Sequence, residues 1–251
     1  INFIKKFIDK MIVIFRFEED LYKKAGVPVR YVGHPLLDIV RTELTRPEFL
    51  QKLTGAAPDD KIIAILPGSR KREITTLLPI IAESAKIIHE RFPKYKFLVS
   101  ISPTVDIDIY KAILRKYSFP MWLVRDETYD IINACDLALV ASGTATLETA
   151  ILAKPMLIIY KLSAIEYLLA KPLMLVSHIG LVNVVAGEKI VPEFVQFKAR
   201  PRMIADEAMS ILENRDKYDS IKSKLLRIKE TLYPEGASQK AADSILEFLK
   251  K

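Results

Sequence analysis

The chain has one cysteine, Cys135, in 251 residues. That excludes an intrachain disulfide framework and fits a reducing compartment. Cys135 lies in an apolar stretch before Asp136 and reads as a buried, inert thiol. The eight glycines are isolated, and neither a G-x-G-x-x-G turn nor a Walker loop occurs. The three histidines, His34, His89 and His178, lie far apart, and H-E-x-x-H and C-x-x-C are both missing. A metal site is therefore not expected. Long apolar runs are missing too: the most apolar stretch, 137–160, is broken by Ser142, Gly143, Glu148 and Lys154. That pattern does not read as a membrane span, and no secretory signal is visible. The chain opens at Ile1 rather than Met, inside a helical pattern with Phe3, Ile4, Phe7 and Ile8 on one face. The opening reads as a cut rather than a natural start.

What is present is ordinary for a folded chain. Half of the residues are apolar and 27% are charged, which supports a core and argues against disorder. The net charge of +7 is spread out, with a looser concentration between Lys217 and Lys229. No nucleic-acid motif accompanies it, so a solvated helix face is expected and nucleic-acid binding is not.

Apolar periodicity divides the chain. Strands are expected at 11–15 and 29–32, with a helix at 18–25 between them. Residues 38–61 turn polar, with Pro47, Gly55 and Pro58, and read as a connection between domains. Strands then alternate with helices: strands at 62–66, 96–101, 121–124, 137–141 and 156–160, helices at 74–91, 105–117, 128–135 and 144–153. This alternation predicts an α/β fold whose parallel sheet is covered on both faces. After Tyr160 the chain reads as mostly helical, with helices at 202–212, 216–232 and 238–249. In such a Rossmann-like domain the ligand sits beyond the carboxyl ends of the strands.

Three segments there carry chemistry. Pro67-Gly68-Ser69-Arg70-Lys71-Arg72-Glu73 joins a strand to a long helix. Gly68 and Ser69 permit a sharp turn with free N–H groups, and Arg70 adds a forked contact for a phosphate. Basic residues at a helix amino-terminus oppose its dipole, which suggests a compensating anion; a solvated basic helix start is the alternative. In Ser142-Gly143-Thr144-Ala145-Thr146-Leu147-Glu148, Ser142 and Thr144 offer hydroxyls and Gly143 permits close approach. Glu148, one turn past Thr144, could accept both hydroxyls of a ribose, and a plain helix cap is the alternative. In Leu181-Val182-Asn183-Val184-Val185-Ala186 a lone amide sits among apolar residues. A sugar hydroxyl or the loop backbone could satisfy Asn183.

Together these segments resemble the lipid-A-disaccharide synthase family. Tyr31-Val32-Gly33-His34-Pro35-Leu36-Leu37-Asp38 is similar to its linker motif, Leu66 to Arg70 with Glu73 to its first phosphate loop, and Ala141 to Glu148 to its second. Asn183 matches the family's L-P-N-L-[LIV]-A, with Val182 in place of the proline, and Glu235-Gly236-Ala237-Ser238 also fits. The resemblance implies a GT-B fold, the chain being the carboxyl-terminal three-fifths or so of a family member. Residues 1–38 would then be a remnant of the amino-terminal acceptor-side domain, and 39–60 a linker. Residues 61–232 would be the UDP-sugar-binding domain, and 233–251 a helix crossing back to the first domain.

The resemblance further implies metal-independent transfer of diacylglucosamine from its UDP derivative to diacylglucosamine 1-phosphate, with no cofactor. It implies a cytoplasmic protein, peripheral on the inner face of the bacterial inner membrane, and leaves a homodimer open. Gly68, Ser69, Arg70, Ser142, Gly143, Thr144 and Glu148 would face the nucleotide, and Asn183 the donor sugar. Arg125 lies where similar enzymes hold uracil by backbone atoms. The family's proposed catalytic carboxylate lies outside these residues, so no general base is assigned and the fragment is expected to be inactive alone. Two rivals share the nucleotide loops. A UDP-N-acetylglucosamine epimerase would carry paired acidic residues after the Ser-Gly turn, where only Glu148 stands. A non-catalytic UDP-sugar-binding module is the other.

Overall fold

The computed structural model describes residues 1, 3–162 and 178–250. Its centre is a six-stranded parallel sheet in the order β5-β4-β3-β6-β7-β8. The strands are β3 (Lys61–Leu66), β4 (Tyr95–Ile101), β5 (Met121–Arg125), β6 (Leu137–Ala141), β7 (Met156–Tyr160) and β8 (Glu193–Val195). Strand β6, and β3 after its exposed Lys61, are apolar because helices cover both faces. The chain builds outward from β3 to β5, then returns to lay β6 against the other side of β3.

One layer of helices contains α5 (Lys71–Arg91) with α6 (Ile107–Leu114) and α10 (Pro201–Glu213) packed on it. In α5 the buried Ile74, Leu77, Leu78, Ile81, Ala85 and Ile88 recur at helical spacing and form the face turned to the core. The other layer contains α7 (Thr128–Ala134), α8 (Ala145–Ile151), α9 (Leu181–Ala186) and α11 (Arg215–Leu232). Cys135, just after α7, is fully buried, and burial pushes its thiol up to about 12, as an inert cysteine requires.

Ahead of this domain, α1 (Ile4–Phe7) precedes a two-stranded parallel sheet, β1 (Met11–Val13) and β2 (Val29–Tyr31), joined by α2 (Arg16–Lys24). The chain then passes α3 (Leu36–Ile39), where the buried His34 accepts the Leu36 N–H on Nδ1 at 3.2 Å. Burial lowers the His34 pKa, so the ring is held neutral.

One expectation is extended and one needs correction. The stretch 39–60, expected as a linker, packs on the main domain. It contains α4 (Arg46–Gln51), whose Phe49 and Leu50 are fully buried in the main core. Two apolar residues in a polar stretch are too few to show as a period, yet they suffice to anchor one helical turn. The segment after Tyr160 also contains a sixth strand, β8, too short to display alternation. Residues 163–177, which the expectation of mostly helical structure included, lie outside the described residues.

The terminal helix is α12 (Ala237–Leu249). It does return to the amino-terminal segment. Asp38 accepts the N–H groups of Gly236 and Ala237 at 2.7 and 3.1 Å, and Arg30 meets Glu247 at 2.7 Å. Gly33 has φ +92°, and a Cβ there would lie 1.9 Å from the Pro234 carbonyl oxygen, so only glycine allows this approach. The apolar stripe of the helix, Ala241, Ala242, Ile245 and Leu249, is not what packs, however. Ala237 and Ser244 are buried, whereas Ile245 and Leu249 are 50% and 72% exposed, as are Phe3 and Phe7 at 75% and 66%. Capping and ion pairing, not the stripe, hold the helix in place.

Candidate functional site

The sheet reverses direction of growth between β3 and β6, and the loops leaving their carboxyl ends part there. Such a switch point leaves a crevice in an open α/β sheet. Here it is a cleft of about 400 Å³, walled by residues 66–70 and Glu73 on one side and by 141–145 and Glu148 on the other. Gly68, Ser69, Arg70, Ser142, Gly143, Thr144 and Glu148 therefore come together, although the two groups are separated by more than two complete β-α units. Ser100, Ser102, Pro103 and Thr128 complete the wall.

The second loop is the open one. Gly143 has φ +155°, and nothing lies within 4 Å of where a Cβ would be. Among the described residues, the N–H groups of Gly143, Thr144 and Ala145 have no acceptor in the chain. Unmatched N–H groups at a helix start are ready donors to an anion. The Ser142 hydroxyl is committed: it donates to Ile179 O at 3.1 Å. Glu148 is half-buried beside Tyr129, whose hydroxyl favours its charged form. Burial raises the Glu148 pKa, and the Tyr129 hydroxyl opposes that rise only in part. A carboxylate so placed gains from further hydroxyl donors.

The first loop already has its anion. Glu73 Oε2 accepts the Ser69 and Arg70 N–H groups at 3.0 and 3.4 Å, and Glu73 Oε1 meets the Arg70 guanidinium at 3.1 Å. Glu73 thus supplies one carboxylate against the three cations Arg70, Lys71 and Arg72 of this helix start. The Arg70 side chain is 82% exposed and rests against Glu73 at the rim of the cleft.

Two assigned residues stand apart. Asn183 is fully buried, and all its hydrogen-bonding capacity is used inside the chain. Nδ2 donates to Val191 O and Glu193 Oε1 at 2.9 and 2.8 Å, while Oδ1 accepts the N–H groups of Ile190 and Val191 at 2.9 and 3.1 Å. Within the chain the amide is thus satisfied by loop backbone and the Glu193 carboxylate, close to the loop-backbone reading that residue type alone left open. Arg125 ends β5 with its backbone paired to Ile101, and its side chain reaches Val105 O at 3.4 Å; it does not line the cleft. Sequence reasoning missed Tyr129, Ser100, Ser102 and Thr128. The hydroxyls recurring at Ser100, Ser102 and Thr104 near a strand's carboxyl end were the available signal.

Comparison with known proteins agrees with this geometry. The family model described as lipid-A-disaccharide synthetase matches residues 1–247. A lipid-A-disaccharide synthase of Syntrophus aciditrophicus is 43% identical over 249 residues, covering 99% of this chain and 65% of the relative. One from Geobacter metallireducens is 39% identical, covering 99% and 64%. The chain thus spans about 65% of the length of such relatives.

Among solved structures, a Neisseria meningitidis UDP-GlcNAc 2-epimerase bound to UDP-GlcNAc superposes with TM-score 0.65 at 13% identity, covering 95% of this chain and 62% of that one. The C-terminal domain of a Francisella tularensis group 1 glycosyl transferase, LpcC, gives 0.54 at 15%, covering 81% and 100%. At such identities the likeness shows the fold, that of GT-B proteins. With a matching family model along nearly its whole length, this chain belongs to the lipid-A-disaccharide synthase family.

Proposed function

We propose that this chain is the donor-binding part of an enzyme of lipid A biosynthesis. The reaction transfers 2,3-diacylglucosamine from its UDP derivative to 2,3-diacylglucosamine 1-phosphate, releasing UDP. The observation that carries the reading is the switch-point cleft, where free N–H groups of residues 143–145, Arg70 and a half-buried Glu148 converge. Departure of UDP leaves growing negative charge on a diphosphate. Backbone N–H groups at the start of α8 and the Arg70 guanidinium at the rim of the cleft meet that charge. Glu148, steadied by Tyr129, accepts the ribose hydroxyls. Acyl-bearing substrates place the protein at a membrane surface. We propose peripheral attachment at the cytoplasmic face; among the described residues no helix is long and apolar enough to cross a membrane.

Calorimetric titration with UDP tests the nucleotide site. Arg70→Ala is expected to weaken binding by roughly 1.5 kcal/mol, the low end for a charged hydrogen bond, because solvent and Glu73 compete for the guanidinium. Unchanged affinity would remove Arg70 from the phosphate site. Glu148→Gln keeps the shape and loses the strong acceptor. The parent should prefer UDP over its 2′-deoxy analogue, and the variant should bind both about equally. A parent without that preference would end the ribose assignment.

A further inference from the structure

The first loop is held by a hydroxyl cluster that no motif brought into the site. Ser102 Oγ and Thr104 Oγ1 both lie within donating distance of the Ser69 carbonyl oxygen, at 3.1 and 3.0 Å, and 2.9 Å from each other. Ser102 is itself fixed, since its N–H donates to the Tyr110 hydroxyl at 3.0 Å and both residues are buried. The two hydroxyls have only two hydrogens between them, so Ser69 O can receive both only when neither is spent on the other.

The peptide following Ser69 is planar and trans, so its C=O and the Arg70 N–H point in opposite directions. A grip on Ser69 O therefore sets the direction of the Arg70 N–H, which meets Glu73, and the origin of the Arg70 side chain. Gly68, at φ +112°, supplies a hinge just upstream that would otherwise let this peptide rotate.

We propose that Ser102 and Thr104 are positioning residues of the nucleotide site: they clamp the Ser69–Arg70 peptide so that Arg70 is aimed at the cleft before the ligand arrives. Pre-ordering of this kind raises affinity by lowering the entropy lost on binding. The inference rests on the proposed UDP site. Thr104 is exposed and meets the loop through its hydroxyl, which makes it the cleaner handle.

The experiment is a double-mutant cycle on the full 251-residue chain, read by calorimetric titration with UDP. Thr104→Val keeps the shape and removes the donor. It is expected to weaken UDP binding about 2- to 10-fold, the effect of one neutral hydrogen bond. Thr104→Ser is expected to restore parental affinity. In an Arg70→Ala background, Thr104→Val should change affinity by less than about 2-fold, because the group it aims is gone. An equal loss with and without Arg70 would overturn the clamp in favour of a general packing role. Unchanged affinity in Thr104→Val would overturn it directly. Failure of the parent chain to bind UDP would overturn the nucleotide reading itself, and the clamp with it.

Discussion

Asn183→Ala is expected to cost the folded chain about 4 kcal/mol and to leave its affinity for UDP within about 2-fold of the parent. The alanine would strand the Ile190 and Val191 N–H groups and the Val191 carbonyl in a buried loop. Each buried polar group left without a partner costs about 1–3 kcal/mol. Urea unfolding checks this, as a lower midpoint at unchanged slope.

Asn183→Asp sharpens the test. It keeps the shape but sets a second carboxylate where Nδ2 now lies, 2.8 Å from Glu193 Oε1. Two carboxylates that close raise each other's folded pKa above the unfolded value of about 4. A raised folded pKa means stability is fully present below the unfolded pKa and lost as pH rises through the folded one. The variant should therefore be closer to the parent at about pH 4 than at about pH 7. A variant as stable as the parent that binds UDP normally but discriminates poorly among UDP-sugars would return Asn183 to the sugar site.

Arg46→Ala should have the second largest effect, a loss of about 3 kcal/mol in stability with UDP affinity unchanged. Arg46 grips Asp136 with both terminal nitrogens at 3.0 Å and donates to Asp60 O at 2.7 Å. Asp136 also accepts the Ile62 N–H at 2.8 Å, and Tyr218 donates to the Asp136 carbonyl at 2.9 Å. The cluster ties α4 and α11 to the amino ends of β3 and β6. Removing one partner of a buried pair costs about 3–5 kcal/mol, and the low end applies because the two side chains are 27% and 17% exposed. The cleft lies at the opposite ends of the same strands, which is why binding should survive. A loss below about 1 kcal/mol, the value of a surface pair, would show that α4 is held by Phe49 and Leu50 alone.

The sequence carried whatever is local in period. Apolar runs such as Leu137 to Ala141 must be buried on both faces, and the helical recurrence in α5 must face a core, so the alternating pattern already implied a parallel α/β sheet. The turn chemistry of Pro67 to Arg70 and Ser142 to Thr144 was legible because each couples a strand end to a helix start within a few residues. From there the loops opening on a common cleft followed by topology alone.

Tertiary structure decided what depends on partners distant in sequence or too brief to show a period. Which face of α12 packs was settled by Asp38 and Arg30, some two hundred positions upstream, and not by the apolar stripe of the helix itself. That Glu73 serves as the anion of the first loop required coordinates, because a carboxylate at a helix start may cap or point away with equal sequence licence. Asn183 is the clearest case. A buried amide must have partners, and the sequence states that obligation. Whether sugar or backbone discharges it depends on where residues 190–193 run, and a three-residue edge strand leaves no pattern to read.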